Sequence, residues 1–75
     1  MPIQFSEHAL YQLKKRKISI KRTIEVVKNP EEIRESYKNR RLRRKEYGGK
    51  ILQVITVTEG SKITIVSGYY LRKNI

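Results

Sequence analysis

The sequence predicts an α+β domain in which an N-terminal helical hairpin packs on one face of a three- to four-stranded antiparallel sheet. Apolar residues recur at helical spacing up to an Asn29-Pro30 break, and beyond it the pattern changes to the alternation of strands. Turn signals then separate the strands, at Gly48-Gly49 and at Glu59-Gly60-Ser61. We expect residues 1–75 to form a single domain, because a chain this short supports only one core.

Two serines mark the starts of the predicted helices. Ser6 is a good N-cap for a helix that runs to about Arg16, and Ser19 caps a second helix that Asn29-Pro30 ends. About two residues separate these helices, which predicts an α-hairpin. The apolar positions at helical spacing are Ala9, Leu10 and Leu13 in the first helix, and Ile20, Ile24 and Val27 in the second.

Four strands are predicted in the second part of the chain, at residues 31–37, 41–47, 50–58 and 62–71. Lys38-Asn39-Arg40 is the expected turn between the first two. The third and fourth strands carry apolar residues on both faces, which favours central positions in the sheet.

Charge is the most informative feature of the composition. Eighteen lysines and arginines face seven acidic residues, which gives a net charge of +11. Such an excess attracts polyanions and speeds their association. Heat-adapted proteins raise basic and acidic residues together, whereas here the acidic residues are few. We therefore expect a nucleic-acid partner, with RNA before DNA.

The residue types that the sequence lacks limit the kinds of site that it can form. Neither cysteine nor aspartate occurs, and the glutamates are scattered along the chain. Thiolate sites and carboxylate clusters are the usual holders of metal ions, so we expect no metal and no cofactor. No apolar run approaches the roughly 20 residues that span a bilayer, and the N-terminus lacks a secretory pattern. We expect a cytoplasmic protein without a membrane partner.

The densest basic segment covers residues 40–45, where five of six residues are basic. Strand alternation places Arg41, Arg43 and Lys45 on one side of the sheet, with Tyr47 next along. That arrangement combines phosphate-binding charge with a ring that can stack on a base. The alternative is a solvated edge strand protected by its charge, for which two or three cations would suffice.

The C-terminal segment is a second candidate site. Tyr69 and Tyr70 are adjacent in a predicted strand and face opposite ways, so at most one belongs to the core. The other can stack on a base or present its hydroxyl, and Arg72 can clamp a phosphate, with Lys73 adding charge. His8, the only histidine, is either a structural hydrogen-bonding residue at a helix start or an acid–base group.

Several segments together resemble a short, largely uncharacterised branch of the RelE/ParE-like toxin superfamily. They are His8-Ala9 followed by Arg16-x-Ile18-Ser19, the Asn29-Pro30 break, the basic strand, and V-S-G-Y-Y-L-R at residues 66–72. An N-terminal H-A-x-x-R-x-x-x-R-x-I pattern marks that branch. Gln12 stands at its first arginine position, and Lys17 stands where a glycine is often found. The resemblance implies the same helical hairpin on an antiparallel sheet.

The resemblance also implies a toxin of a type II toxin–antitoxin pair. RelE-like toxins cut mRNA, commonly on the ribosome, with the substrate 2′-hydroxyl as nucleophile, whereas ParE-like toxins inhibit DNA gyrase. Both are held inactive by an antitoxin that is often acidic where it docks. We therefore expect a metal-independent endoribonuclease acting on mRNA, with an acidic antitoxin as partner. The alternative is a non-catalytic nucleic-acid- or gyrase-binding protein, or a toxin-derived relic.

Cleavage of this kind needs a base, stabilisation of the phosphate charge and a proton for the leaving 5′-oxygen. Under the resemblance, the phosphate candidates are Arg43, Arg44 and Arg72, and the base candidates are Lys45, Glu46 and His8. Tyr69 or Tyr70 is expected to stack on a base or to deliver a proton. The residues expected to bind nucleic acid are Arg40, Arg41, Arg43, Tyr47 and Lys73.

Overall fold

The structure is a computed structural model that describes residues 2–72 of the chain. The described part contains two helices and five strands in one sheet, whose spatial order is β1-β5-β4-β3-β2. The elements are β1 (Ile3–Phe5), α1 (Glu7–Lys15), α2 (Ile20–Lys28), β2 (Glu32–Glu35), β3 (Arg40–Tyr47), β4 (Lys50–Glu59) and β5 (Lys62–Arg72). Neither of these helices is long and apolar enough to cross a membrane.

The predicted three- to four-stranded antiparallel sheet is wrong. The sheet has five strands and is mixed, because β1 pairs in parallel with β5, from Ile3 opposite Ile63 to Phe5 opposite Ile65. The other pairs, β2–β3, β3–β4 and β4–β5, are antiparallel. A strand of three residues shows no periodic signal, and its partner is the last strand of the chain. Neither fact is visible in a local pattern.

The predicted helical hairpin packed on the sheet is also wrong. α1 makes its main contacts with β5, whereas α2 packs on β4 and β3. Each helix therefore has its own place on the sheet, and the two do not pack there as a paired unit. A short connection brings helices close in sequence, but the apolar face of each helix decides where it is buried.

The predicted helix starts are confirmed. The side chain of Ser6 accepts a hydrogen bond from the amide of Ala9, and the side chain of Ser19 accepts one from the amide of Arg22. These bonds satisfy amides that have no partner within their helix. Serine caps are short-range features, which is why the sequence alone locates them.

The chain leaves α1 through Lys17, whose φ of 56° is left-handed. This conformation lets the amide of Ile18 donate to the carbonyl of Leu13 at 2.9 Å, as at many helix ends. Glycine adopts it without a steric penalty, which explains why glycine often stands at this position in the pattern that the sequence resembles.

The core lies between the two helices and one face of the sheet, here called the helix face. The opposite surface is called the open face. In register across the strands, Lys45, Leu52 and Tyr70 lie on the helix face, while Arg44 and Gln53 lie on the open face with Tyr69. The buried apolar residues are Ala9, Leu13, Ile18, Val26, Val27, Leu52, Val54, Ile63 and Ile65.

A bulge in β5 decides which tyrosine faces the helices. Ile55 is opposite Ser67 while Thr56 is opposite Ile65, so Val66 has no partner across the ladder. The extra residue reverses the alternation that Ile65 establishes. Tyr70 is thereby directed to the helix face, where it packs against the core.

α1 lies unusually close to β5 at Gly68. A Cβ atom on Gly68 would lie 3.0 Å from Cδ2 of Leu13, so a larger residue would require the buried Leu13 side chain to shift. The guanidinium of Arg16 donates to the Gly68 carbonyl at 2.9 Å, and Ser67 donates to Gln12 at 2.6 Å. Arg16 and Gln12, both positions of the N-terminal pattern, thus attach α1 to β5.

Candidate nucleic-acid interface

The basic run of β3 is divided between the two faces of the sheet. Arg41, Arg43, Lys45 and Tyr47 lie side by side on one face, and that face is the one that the helices cover. The alternate residues of the strand, Arg40, Leu42, Arg44 and Glu46, project from the open face. Strand alternation forces this division, since successive side chains point to opposite sides.

Arg43, predicted as a phosphate-binding group, is buried and holds α2 to the sheet. Only 8 % of the surface of Arg43 is exposed. Its Nη1 donates to the carbonyl of Val27 at 2.9 Å, and its Nε donates to Oγ1 of Thr56 at 3.2 Å. Val27 lies in the last turn of α2, where a cation is favourable for the helix dipole. Burial, together with the nearby charge of Arg41, lowers the pKa of Arg43.

At one end of the helix face, six side chains form what we call the tyrosine–cation cluster. The cluster comprises Arg22 and Glu25 of α2, Lys45 and Tyr47 of β3, Lys50 of β4 and Tyr70 of β5. Arg72, opposite Lys50 in the ladder, adds a further cation at its rim. Four elements, α2, β3, β4 and β5, thus supply charge and aromatic rings at one place.

Glu25 links the cluster to β3. Its carboxylate accepts a hydrogen bond from the hydroxyl of Tyr47 and lies 3.5 Å from Nζ of Lys45. The bond from Tyr47, followed by the charge of Lys45, lowers the pKa of Glu25. Burial and then the bond to Glu25 raise the pKa of Tyr47 to about 12. At neutral pH the carboxylate is therefore ionised and the phenol keeps its proton.

Arg22 joins the two rings of the cluster. Its guanidinium carbon lies 4.9 Å from the centre of the Tyr47 ring, and its Nη1 donates to the hydroxyl of Tyr70 at 3.3 Å. The hydrogen bond to Tyr70 raises the pKa of Arg22. Nζ of Lys50 lies 5.9 Å from the centre of the Tyr70 ring. Both cations occupy the range of cation–π attraction.

Sequence reasoning missed Arg22 and Glu25. Both are exposed residues of α2, and the helical pattern drew attention only to the apolar positions. Their spacing of three residues places them on the same helix face. That signal was present, but its meaning depends on α2 packing beside the end of β3, which no local pattern reveals.

The open face carries a separate polar row. Nε of Arg44 donates to Oε1 of Gln53 at 2.5 Å, and Nε2 of Gln53 donates to the hydroxyl of Tyr69 at 2.5 Å. Arg44 also lies 3.5 Å from a carboxylate oxygen of Glu32. The guanidinium of Arg16 lies 5.9 Å from the centre of the Tyr69 ring.

The residues predicted for catalysis do not form a single site. Lys45, Tyr70 and Arg72 share the helix face, whereas Arg44 and Glu46 belong to the open face. The sheet separates the two groups. His8 is exposed on the first turn of α1.

The remaining predictions concern Arg40 and Arg41, Lys73, and the possibility of a metal site. Arg40 and Arg41 are exposed at the start of β3, on opposite faces. Lys73, a predicted binding residue, lies outside the described residues. Within residues 2–72, no three histidine, cysteine or acidic side chains come together in a way that could hold a metal ion.

The fold and the cluster define a small basic α+β domain with a mixed five-stranded sheet and an aromatic, cationic surface at one end. Comparison with protein families matches residues 5–69 to the family described as a domain of unknown function, DUF4258. The match covers most of the chain, so the protein belongs to this family. Neither the curated proteins nor the solved structures include a match.

Proposed function

We propose that this protein binds RNA at the tyrosine–cation cluster and cuts it as a metal-independent endoribonuclease, the toxin of a type II toxin–antitoxin pair. One observation carries the proposal. Tyr47 and Lys45 contact the carboxylate of Glu25, and Arg22 links Tyr47 to Tyr70, beside which Lys50 lies. The cluster thus contains cations, a proton acceptor and a hydroxyl that can donate a proton, the groups that metal-free RNA cleavage requires, and its rings can stack on bases.

Binding rests on the cations and the rings. Arg22 and Lys50 are exposed residues, and Lys45 keeps 24 % of its side chain exposed, so their charges can meet phosphates. Tyr47 and Tyr70 are partly exposed beside them and can stack on unpaired bases. Single-stranded RNA presents both partners, which is why it suits this surface better than a duplex.

The proposed cleavage uses the substrate 2′-hydroxyl as nucleophile. Glu25 takes the proton of that hydroxyl while its oxygen attacks the phosphorus and forms a 2′,3′-cyclic phosphate. The bond to the 5′-oxygen breaks, and Tyr70 gives that oxygen its proton. Arg22, which already donates to the Tyr70 hydroxyl, stabilises the phenolate that remains. The cations of the cluster stabilise the charge that develops on the phosphate.

A partner protein is the second part of the proposal. The net charge of +11 favours an acidic antitoxin that covers the cationic surface and blocks RNA. The similarity of the N-terminal pattern to RelE/ParE-like toxins supports this pairing. The proposal depends on the cluster and the charge, since the fold implied by that similarity differs from the sheet described above.

A non-catalytic role is the second candidate, and one observation favours it. Because Tyr47 and Lys45 lower the pKa of Glu25, this carboxylate is a weak proton acceptor. On this view the cluster holds a nucleic acid, or a surface of gyrase, without cutting anything. Binding and cleavage therefore need separate measurements.

Controlled expression, with growth and RNA integrity followed together, tests the proposal. Replacing Arg22 and Lys45 with alanine should abolish growth arrest and RNA cleavage, because phosphate binding is lost. The matched control replaces Arg34 and Lys14, two exposed cations outside the cluster, with alanine and should leave both effects unchanged. Circular dichroism checks that the variants fold. Arrest that survives in the cluster variant, or that disappears equally in the control, would contradict the assignment.

Glu25→Gln separates the two candidates. It removes the proton acceptor and one negative charge, so RNA binding should be as tight or tighter while cleavage falls by about 10²–10⁴-fold. Unchanged cleavage would remove Glu25 from the reaction. If the natural protein binds RNA and never cuts it, in cells or on ribosomes, the non-catalytic candidate is correct.

A further inference from the structure

A cavity lies toward the other end of the helix face, away from the tyrosine–cation cluster. Its volume is about 410 Å³, within the size range of small-molecule sites. It is bounded by α2, β1 and the start of β3. Arg41 at the cavity and Tyr47 at the cluster are six positions apart on β3, or roughly 20 Å. The lining residues are Ile3, Val27, Lys28, Arg41, Arg43, Thr58 and Ile63.

The residues that line the cavity include three cations and no acidic side chain, and Glu35, opposite Arg41 in the β2–β3 ladder, forms no ion pair with it. Arg43 is buried, and both of its hydrogen-bond acceptors, the Val27 carbonyl and the Thr56 hydroxyl, are neutral. Within residues 2–72, no carboxylate forms an ion pair with Arg43, Arg41 or Lys28. Buried cations in proteins are normally paired, since desolvation without a partner is unfavourable. The lowered pKa of Arg43 reflects the same imbalance.

Two sets of hydrogen-bond donors remain available at the cavity. The hydroxyl of Thr58 is buried and has no hydrogen-bond partner in the part of the chain that the structure describes. A guanidinium carries five N–H groups, and the two bonds of Arg43 leave three. Buried polar groups without partners are uncommon in folded proteins. An anion in the cavity would accept hydrogen bonds from both residues.

The rest of the lining is apolar. Ile3, Val27 and Ile63 supply aliphatic surface beside the charged groups. A bare inorganic ion would leave this surface uncovered, whereas an ion with a short hydrocarbon chain would cover it. We propose that the cavity binds a small amphipathic anion, with a carboxylate or phosphate head that accepts hydrogen bonds from Thr58 and the cations Arg41, Arg43 and Lys28, and an aliphatic body on the three apolar residues. This site does not depend on the proposed RNA cleavage.

Four probes test the proposal through ¹⁵N NMR titration of the whole chain. Hexanoate and hexyl phosphate contain both parts of the proposed ligand, and the two of them distinguish a carboxylate head from a phosphate head. Hexanol lacks the charge, and inorganic phosphate lacks the body. We expect at least one of the first two to shift the amides of Val27, Arg41 and Thr58. Hexanol and inorganic phosphate should bind at least about tenfold more weakly, since each lacks one component.

Matched variants locate the site. Arg41→Gln should weaken binding by about tenfold or more, because a charge-assisted hydrogen bond is lost. Arg40→Gln is the control: Arg40 is the neighbouring exposed residue on the open face and should leave the affinity within about twofold. Should Arg41→Gln not fold, Lys28→Gln takes its place.

Four results would overturn the proposal. Hexanol that binds as tightly as the best charged probe would remove the role of the cations. Inorganic phosphate that matches hexyl phosphate would remove the role of the apolar lining. The absence of any shift at the cavity amides up to millimolar concentration, or an equal loss in the Arg40→Gln control, would remove the site altogether.

Discussion

Adding one methyl group at Gly68 should destabilise the protein, because the methyl group would crowd Leu13. An added Cβ would lie 3.0 Å from Cδ2 of Leu13, a side chain that is itself fully buried. We therefore expect Gly68→Ala to destabilise the protein, although alanine usually stabilises a strand relative to glycine. Leu13→Val, which removes the branch that the new methyl meets, should relieve much of that effect.

The expected magnitudes follow from these contacts. Crowding in a packed core costs about 1–3 kcal/mol, and the backbone advantage of alanine offsets about 0.5–1 kcal/mol of it. Gly68→Ala should thus lower the free energy of unfolding by about 1–2 kcal/mol. Leu13→Val alone should lower it by about 1 kcal/mol, because one methylene is lost from the core. The double variant should lose about 1 kcal/mol less stability than the sum of the losses in the two single variants.

Urea unfolding followed by circular dichroism measures these differences at constant pH. Thr64→Ser, on the same strand away from Leu13, serves as a control for changes in β5. Strictly additive free energies, agreeing within about 0.5 kcal/mol, would refute the close contact between α1 and β5. A Gly68→Ala variant that is more stable than the natural protein would refute it as well.

Further predictions concern the cluster and the end of α1. Tyr47 should ionise near pH 12, and folded stability should fall from pH 10 toward 12, because the phenol ionises first in the unfolded chain; absorbance titration at high pH and unfolding measurements test this. Tyr47→Phe should raise the pKa of Glu25 toward its ordinary 4.5, as followed by ¹³C NMR of the carboxyl group. With natural Tyr47, the stability that Glu25 contributes is complete above pH 4.5 and is lost as the pH falls through the lowered pKa of Glu25. Acid should therefore destabilise the natural protein more than the Tyr47→Phe variant. Lys17→Gly should stabilise the fold by about 1 kcal/mol in urea unfolding, since the left-handed φ of 56° suits glycine. Affinity for single-stranded RNA should fall with salt with a logarithmic slope of about −3 for four phosphate contacts, and removing Arg22 and Lys45 should reduce that slope by about half; an unchanged slope would place the phosphates elsewhere.

The features that sequence reasoning located are those set by neighbouring residues. Ser6 and Ser19 cap their helices through bonds to amides three positions away. Gly48-Gly49 forms the hairpin between β3 and β4, with φ values of 57° and 87°. Each of these signals acts within a few residues, so it survives whatever the rest of the chain does.

The features that it missed depend on contacts between distant segments. β1 gains its structure from β5, and no property of Ile3-Gln4-Phe5 alone indicates that pairing. The same limit applies to the faces of β3. Alternation correctly groups Arg41, Arg43 and Lys45, but the side that the helices cover depends on how α2 packs. The contact of Arg43 with the Val27 carbonyl at the end of α2 depends on the same packing.

The two ends of the helix face differ in how their positive charge is balanced, and this difference assigns them different ligands. In the cluster, Glu25 partly neutralises Lys45, so a phosphate must compete with a carboxylate already in place. Rings and several exposed cations compensate through many weak contacts, as suits a polymer. In the cavity, no carboxylate of the described residues forms an ion pair with Arg41 or Arg43, so a single small anion suffices. Glu25→Gln should therefore tighten RNA binding and leave the affinity of the cavity for hexanoate unchanged. A parallel change in both affinities would mean that a single field, rather than two separate sites, controls anion binding on this face.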